Sequence, residues 1–275
     1  MSKKIGFIGC GNMARAMIGG IVRSKFIEPS TIYASNPSSG KLDQIRDDFS
    51  ICTTDDNLKI AKECDVVVLS VKPHLYEDVI HQIKDFIKEE ALVVIIAAGQ
   101  KIMDNEKRFN HKIRLVRAMP NTPALVNEGM TAISVNTLVT DEDKRFIQSM
   151  FECFGKIEFV EESLMDAVTG ISGSSPAYTY MFIEALADGA VLHGMPRKQA
   201  YTFAAQAVLG AAKMILETGT HPGVLKDAVS SPGGTTIEAV ASLEKSGFRA
   251  AVIEAVNTCV GKSKKMNQKK GSDVY

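Results

Sequence analysis

The chain has 275 residues, of which 45% are hydrophobic and 23% are charged, a composition typical of a globular protein with room for two domains. The formal net charge is zero, so no bulk field attracts nucleic acid or an anionic membrane. Five dispersed cysteines without a Cys-x-x-Cys pair argue against a zinc knuckle or disulfide framework and indicate a reducing compartment. With no signal-peptide pattern and no apolar run of membrane-spanning length, we expect a cytoplasmic protein without nucleic-acid or membrane partners.

A glycine-rich turn follows the first predicted strand, at residues 4–8. It reads Gly-Cys-Gly-Asn-Met-Ala over residues 9–14, and a helical pattern continues from it. Gly9 permits a tight turn, Gly11 lets the backbone approach a pyrophosphate, and Ala14 lets the helix pack close to the strand. The pattern predicts a dinucleotide site, the alternative being a plain strand-to-helix turn. Cys10 is either an activated thiol at a helix start or, as we favour, a small residue that fits.

Strand and helix patterns then alternate. Strand patterns lie at residues 31–35, 66–69, 92–96, 113–116, 130–135 and 157–160, and helical patterns at 42–49, 75–87 and after Thr140. The near-continuous apolar runs are typical of parallel strands that are covered on both faces. The sequence therefore predicts an α/β domain with a doubly wound, mostly parallel sheet.

The end of the second strand bears on cofactor choice. NAD-binding proteins place an Asp or Glu there to bind the ribose 2′-hydroxyl. Here residues 35–41 read Ser-Asn-Pro-Ser-Ser-Gly-Lys, with hydroxyls, an amide and a lysine but no acid. A 2′-phosphate suits this set better, so we expect NADP(H) to be preferred over NAD(H). The alternative is a polar loop that contacts no ligand.

Three further loops follow strands at the edge where ligands bind in such sheets, at residues 70–73, 97–99 and 119–124. The last contains Pro120 and Pro123, which make a stiff wall suited to the face of a nicotinamide ring. Each loop alone is unremarkable in sequence. Three at one edge favour a cofactor site.

After about Glu162 the strand patterns stop and helices rich in alanine follow. Helices that are apolar nearly all round are buried on most sides, and a domain of this size has little interior to bury them. Packing against a second copy would bury these faces, so we expect a homodimer formed through this region, with larger assemblies of dimers left open.

Residues 230–236 read Ser-Ser-Pro-Gly-Gly-Thr-Thr and open onto an apolar-periodic helix. Thr235 is the predicted N-cap, with Glu238 completing a capping box. A glycine-rich turn at a helix start offers backbone N–H groups to a small anion such as a carboxylate, the alternative being an ordinary capped helix. No metal-ligand spacing and no Gly-x-Ser-x-Gly motif is present, so the chemistry must come from a cofactor and an anion pocket.

These motifs together make the chain closely similar to the Δ1-pyrroline-5-carboxylate reductase family along its whole length. The most specific segments are residues 166–178 and 221–236, supported by Ser-Val-Lys-Pro at 70–73 and Asn-Thr-Pro at 121–123. The resemblance implies a Rossmann NADP-binding domain over residues 1–161 and an all-α dimerisation and substrate-binding domain over 162–275. It also implies NADPH-dependent reduction of the small-molecule substrate Δ1-pyrroline-5-carboxylate to L-proline.

The resemblance further implies which residues contact the ligands. Cofactor contacts are expected from Ile8, Gly9, Cys10, Gly11, Asn12, Met13, Ser35, Asn57, Ser70, Val71, Lys72, Pro73, Ile96, Ala97, Ala98 and Asn121. Substrate contacts are expected from Glu162, Ser231, Gly234, Thr235 and Thr236. Thr236 is the expected catalytic residue, because its hydroxyl would orient the ring nitrogen. Relatives often carry Ala at position 235, and many have Glu where this chain has Gly219.

Two other functions stay open from the sequence. One is a related NADP-linked oxidoreductase that acts on a larger cyclic imine or a 3-hydroxy acid. The hydroxy-acid enzymes use a catalytic lysine, for which Lys198 and Lys213 are the local candidates, without the glycine-rich context of those enzymes. The other is a reductase-like NADP-binding regulator, against which the intact 230–236 turn argues.

Overall fold

The computed structural model describes residues 3–109 and 111–268, and within these ranges eight strands form a single sheet. The strands are β1 (Ile5–Ile8), β2 (Ile32–Ser35), β3 (Cys52–Thr54), β4 (Val66–Leu69), β5 (Leu92–Ile95), β6 (Arg114–Met119), β7 (Gly129–Val135) and β8 (Gly155–Phe159). Their order across the sheet is β3-β2-β1-β4-β5-β6-β7-β8. All neighbours are parallel except β6 and β7, which are antiparallel.

Helices connect these strands and continue beyond them. They are α1 (Asn12–Arg23), α2 (Ser39–Phe49), α3 (Asn57–Glu63), α4 (Tyr76–Ile83), α5 (Ile102–Phe109), α6 (Asp141–Glu152), α7 (Met165–Val168), α8 (Ser175–Leu192), α9 (Arg197–Thr218), α10 (Pro222–Ala228), α11 (Thr235–Lys245) and α12 (Phe248–Gln268). The predicted fold class, a doubly wound and mostly parallel sheet followed by helices, is confirmed.

The central strands of the sheet are buried and border the expected ligand crevice. Every residue of β1, β4 and β5 is buried, as expected for parallel strands covered on both faces. The strand order reverses between β1 and β4, so the carboxyl ends of these two strands border a crevice. This is the position where ligands bind in open α/β sheets.

Some elements depart from the sequence-based prediction. The pattern missed β3, α3 and α5, whose short segments are mostly polar or only half-buried. It also ended the fifth predicted strand at residue 116, whereas β6 continues to Met119. The reason is Arg117, a charged residue that interrupts the apolar run although it is only 3% exposed.

The chain divides into two units with dense internal packing. The first contains the described residues up to 173 and those from 259 onward, and the second contains residues 174–258. The end of α12 therefore belongs with the sheet, where the Ser263 hydroxyl donates a 2.6 Å hydrogen bond to Asp166 Oδ1. The domain boundary predicted between residues 161 and 162 separates functional domains, whereas the two units are defined by dense packing. The predicted boundary stays a prediction.

The second unit consists of α8 to α11 and the first half of α12. In the described part of this unit, the buried hydrophobic residues are Ala187, Ala200 and Ala204. Large apolar side chains are instead exposed, among them Met181 at 70%, Leu192 at 86% and Phe203 at 67%. Within the described residues, no helix has the length and apolar character needed to cross a membrane.

The start of α11 corrects one prediction. The N-cap is Gly234, in extended conformation and without a side-chain hydrogen bond, so Thr235 is the first helical residue and not the cap. The capping box predicted with Glu238 is therefore absent from this helix start. A capping box does form at α6, where the Thr140 hydroxyl accepts from the Asp143 amide, as expected near Thr140.

Candidate active site

The glycine-rich turn after β1 has the geometry of a dinucleotide-binding loop. Gly9 has φ +106°, and a Cβ there would lie 2.8 Å from the Ser70 carbonyl oxygen, so only glycine fits. At Gly11 a Cβ would meet no atom within 4 Å. No side chain caps the start of α1, which leaves its first N–H groups facing this open space. The turn can therefore hold a pyrophosphate against its backbone.

Polar side chains at the end of β2 brace this turn. The Ser35 hydroxyl, fully buried, donates to Asn57 Oδ1 at 2.7 Å, and Asn57 Nδ2 donates to Gln82 at 2.8 Å. The Cys10 amide donates to Asn36 Oδ1 at 3.3 Å. The structure thus brings the predicted Ser35 and Asn57 together beside the turn.

A cavity next to the turn contains the cationic groups expected near a 2′-phosphate. Its lining residues are Cys10, Gly11, Asn12, Arg15, Lys41, Gln44 and Ile45. Lys41 is among the residues predicted for this site from the sequence, whereas Arg15, which lies one turn into α1 and also pairs with Asp48, is not. Helical periodicity from Asn12 could have placed Arg15 near the loop, but not facing α2.

The Cys10 thiol is not activated. Its Sγ donates to the Ser35 carbonyl oxygen at 3.6 Å, and burial raises the pKa of the thiol to about 11. A thiol with such a pKa is protonated at neutral pH and is a poor nucleophile. Cys10 therefore serves as a small residue in the turn, which was the favoured interpretation.

The loops after β4 and β5 are tied to each other and to the turn after β1. The Ser70 hydroxyl donates to the Ile8 and Gly9 carbonyl oxygens, at 3.1 and 2.8 Å. The hydroxyl of Tyr76, a fully buried residue, donates to the Leu69 carbonyl oxygen at 2.6 Å. The Tyr76 hydroxyl oxygen also accepts from two backbone amides after β5, those of Ile96 and Ala97, at 3.2 Å each.

Tyr76 was not among the predicted site residues, because it looks like an ordinary apolar position at the start of α4. Burial and the loss of water raise the pKa of its hydroxyl well above the usual range. The hydroxyl therefore stays protonated and holds two predicted cofactor loops at a fixed spacing.

The Asn121 side chain is fully used inside the first unit. Its Oδ1 accepts from the Met130 amide at 2.9 Å, and its Nδ2 donates to the Ser172 carbonyl and hydroxyl oxygens, at 3.1 and 3.3 Å. Asn121 thus fixes the Pro-rich loop after β6. Its predicted cofactor contact stays a prediction, and the amide has little left to offer a ligand.

Glu162, a predicted substrate contact, belongs to the first unit. Its Oε1 accepts from Arg117 Nη1 and from the Ile102 amide, both at 2.8 Å. Arg117 was missed in sequence, because it is 45 residues from its partner and reads as an interruption of a strand.

The remaining predicted substrate contacts belong to the second unit. The Gly234 amide donates to the Ser231 carbonyl oxygen at 3.0 Å, closing the turn that leads into α11. The hydroxyls of Thr235 and Thr236 make no hydrogen bond to the described part of the chain. Thr235 is exposed and Thr236 is half-buried. The first N–H groups of α11 and both hydroxyls are thus available to a small anionic ligand.

A dinucleotide-binding sheet, followed by helices with an uncapped glycine-rich turn, defines a class of nicotinamide-dependent oxidoreductases. Two family models match the chain: one for NADP oxidoreductases, coenzyme F420-dependent, over residues 4–99, and one for pyrroline-5-carboxylate reductase dimerisation over residues 162–266.

Curated relatives extend the match to the whole chain. The pyrroline-5-carboxylate reductase of Escherichia coli K12 is 51% identical, over 98% of this chain and 100% of its own. That of Methanosarcina acetivorans is 45% identical, over 98% of this chain and 99% of its own. The chain belongs to the pyrroline-5-carboxylate reductase family, as the sequence analysis predicted.

Solved structures agree with this assignment. The pyrroline-5-carboxylate reductase of Coxiella burnetii superposes with a TM-score of 0.92 at 36% identity, covering 98% of this chain and 100% of that one. The pyrroline carboxylate reductase of Plasmodium falciparum, solved with NADP bound, gives a TM-score of 0.88 at 32% identity and covers 97% of this chain and 99% of that one.

Proposed function

We propose that this protein reduces Δ1-pyrroline-5-carboxylate to L-proline with NADPH, the last step of proline biosynthesis. The observation that carries the proposal is the similarity over the full length of both chains to reductases of this name, at up to 51% identity among the relatives given above. The uncapped turn at 230–236 supports it, because the substrate is a small carboxylate.

The first unit fits a nicotinamide dinucleotide. The open space above Gly11, which a side chain would partly fill, is the cradle that a pyrophosphate needs. When bound, the reduced cofactor supplies the hydride for the C=N carbon. Ser35, Lys41 and the loops after β4 and β5 are the residues that would hold it.

The second unit supplies groups for the substrate. Backbone N–H groups at the start of α11 would bind the α-carboxylate, and the Thr236 hydroxyl would orient the ring nitrogen. A protonated imine is already electrophilic, so a general acid is not required. Most of the rate would come from holding the substrate in the reactive geometry.

The alternatives receive less support. Lys213, a candidate lysine for a 3-hydroxy-acid enzyme, is 66% exposed and pairs with Glu217 at 3.4 Å on the surface of α9. Lys198 lies near the start of the same helix and is also exposed. An NADP-binding regulator would not need the hydroxyls and N–H groups around Thr236.

One assay separates these functions. Purified protein is mixed with NADPH and Δ1-pyrroline-5-carboxylate, and NADPH oxidation and proline formation are followed together. We expect one proline for each NADPH. Turnover of a 3-hydroxy acid instead, or NADPH binding without turnover of any imine, would contradict the proposal.

We also propose a homodimer formed by the second unit, and a cytoplasmic location. The exposed apolar side chains of α8 and α9 support the dimer, since monomers rarely leave such large apolar patches uncovered. The five free thiols fit a reducing compartment. Light scattering on the full chain tests the assembly, and a monomer at micromolar concentration would contradict it.

A further inference from the structure

Arg117 is a buried cation in an otherwise apolar position. It lies on β6 between Leu115, which is fully buried, and Met119, which is 7% exposed. Its own side chain is 4% exposed. Among the described residues, its Nε has no hydrogen-bond partner. Burying a guanidinium costs free energy unless the group is paired, so the role of the ion pair between Arg117 and Glu162 needs an explanation.

Glu162 is fixed through only one of its two carboxylate oxygens. Oε1 accepts both the Arg117 guanidinium and the Ile102 amide, at 2.8 Å each. Oε2 accepts no hydrogen bond from the described part of the chain, and the side chain is 31% exposed. The carboxylate is therefore held in one orientation with one oxygen left for a ligand.

The two donors come from different elements, which makes the orientation specific. Ile102 is the first residue of α5, whereas Arg117 lies in the middle of β6. Glu162 begins the short 3₁₀ helix after β8, just before the fully buried Met165. A change in either donor would let the carboxylate rotate without unfolding the segment that carries it.

We propose that Arg117 is a positioning residue, which together with the Ile102 amide holds Glu162 so that Oε2 stabilises the positive charge of the substrate ring. This inference rests on the proposed function, because only a cationic imine would need such a partner. Hydride addition turns the protonated imine into a neutral secondary amine, which takes a proton from water to become the ammonium group of the product. An oriented carboxylate binds the ring cation before hydride transfer and the ammonium after it, without a cost for ordering the side chain at either stage. Arg117 itself touches neither ligand.

The test is a double-mutant cycle with the full-length protein. The variants are Arg117→Met, Glu162→Gln and the two combined, and each is assayed with saturating NADPH and varied Δ1-pyrroline-5-carboxylate. Each single change should lower kcat/KM about tenfold, the effect of losing one hydrogen bond to a charged group. In the combined variant the loss should hardly exceed that of Glu162→Gln alone, because Arg117 acts only through the carboxylate.

Two further readouts separate positioning from a merely structural role. NADPH affinity, measured by fluorescence titration, should change less than about twofold in every variant, since the cofactor residues are braced independently. Arg114→Met is the matched control, because Arg114 lies on the same strand but pairs with Glu90 and Asp143 instead of Glu162. It should leave kcat/KM unchanged.

Arg117→Lys keeps the charge and one donor, so it should recover part of the lost kcat/KM. If Arg117→Met does not fold, Arg117→Lys takes its place in the cycle, with the same coupling to Glu162→Gln expected. Additive losses of kcat/KM in the combined variant would overturn this inference but not the proposed function. NADPH affinity and Tm that fall in step with kcat/KM would do the same. A wild-type protein that does not reduce the imine would overturn the proposed function and this inference together.

Discussion

The two groups of predicted ligand residues differ in how firmly the protein holds them. In the first unit, hydroxyl and amide side chains bind nearly every loop at the carboxyl edge of the sheet. Ser70 links the loops after β1 and β4, and Tyr76 links those after β4 and β5. In the second unit, the turn before α11 is closed by one backbone bond and leaves the hydroxyls of Thr235 and Thr236 without a partner in the described chain.

This difference determines how much ordering each group of residues requires when its ligand binds. A braced cofactor site is preorganised, so little ordering is required when a dinucleotide binds. The polar groups before α11 are solvated in the free protein and are used only when a ligand replaces water. Changes to the side chains that brace the cofactor loops of the first unit should therefore affect cofactor affinity and stability together, whereas changes at Thr236 should affect turnover alone.

The largest expected effect comes from Gly9→Ala. The new Cβ would combine a positive φ with a 2.8 Å approach to the Ser70 carbonyl oxygen. We expect a loss of about 1–3 kcal/mol in stability, together with a loss of about tenfold or more in NADPH affinity. Thermal unfolding and fluorescence titration measure the two quantities.

Gly11→Ala separates the two effects of Gly9→Ala. A Cβ at Gly11 meets no atom within 4 Å in the free protein, so stability should hold while NADPH affinity falls. Gly210→Ala, also in open space but on α9 in the second unit, is the control that should leave NADPH affinity unchanged. Normal NADPH affinity in Gly11→Ala would mean that no pyrophosphate lies against the turn.

Thr236→Val tests the second unit. The change keeps the β-branched shape and removes the hydroxyl, so it should cost about 1–3 kcal/mol in transition-state stabilisation. That corresponds to a loss of about ten- to a hundredfold in kcat/KM for the imine. NADPH affinity should hardly change. Stability should also hold, because the cap of α11 is Gly234 and the Thr236 hydroxyl makes no hydrogen bond to the residues that the structure describes.

Steady-state kinetics and NADPH titration on one preparation give both quantities for Thr236→Val. Thr202→Val is the control, since that exposed hydroxyl on α9 donates to the Lys198 carbonyl oxygen of its own helix. If Thr236→Val weakens NADPH binding as much as turnover, or leaves turnover intact, the substrate does not bind at this turn.

The sequence predicted the features that depend on local pattern. The apolar runs of β1, β4 and β5 and the glycines of the first turn follow from burial on two faces and from backbone freedom. The cap of α11 was predicted one residue too late, because Thr235 with Glu238 three residues on matches the capping-box pattern. The chain enters the helix at Gly234, where a Cβ would meet the Ser231 hydroxyl oxygen at 2.5 Å.

The missed residues share a different cause. Arg117, Tyr76 and Arg15 have partners on other elements, which come together only when the sheet and its helices pack. Tyr76 also sits where a pattern predicts plain core, whereas Arg117 reads as the charge that ends a strand. Local reasoning misses both residues, because the hydrogen bonds that distinguish them are tertiary.

Tyr76→Phe should have a moderate effect on the first unit. It removes one donor and one acceptor from a fully buried position and leaves the Ile96 and Ala97 amides and the Leu69 carbonyl without this partner. We expect a loss of about 1–3 kcal/mol in stability. NADPH affinity should fall a few-fold, as the loops lose their fixed spacing. Loss of stability with normal NADPH affinity would show that the hydroxyl stabilises only the sheet.

Lys41→Ala should have the smallest effect and bears on cofactor choice. Lys41 lines the cavity beside Cys10 and Gly11 but is exposed, so solvent screens its charge, and Arg15 nearby is already paired with Asp48. A 2′-phosphate carries a charge of about −1.5 to −2 at neutral pH, against none for a hydroxyl. One exposed ion pair is worth about 0.2–1 kcal/mol, so the preference for NADPH should fall only about two- to fivefold.

The measurement is kcat/KM with NADPH and with NADH, and the NADH value serves as the internal control because it should not change. Added salt should reduce the preference in the wild type and reduce it less in Lys41→Ala, since the screened interaction is already gone. Equal or better efficiency of the wild type with NADH would overturn the interpretation of residues 35–41 as a 2′-phosphate site.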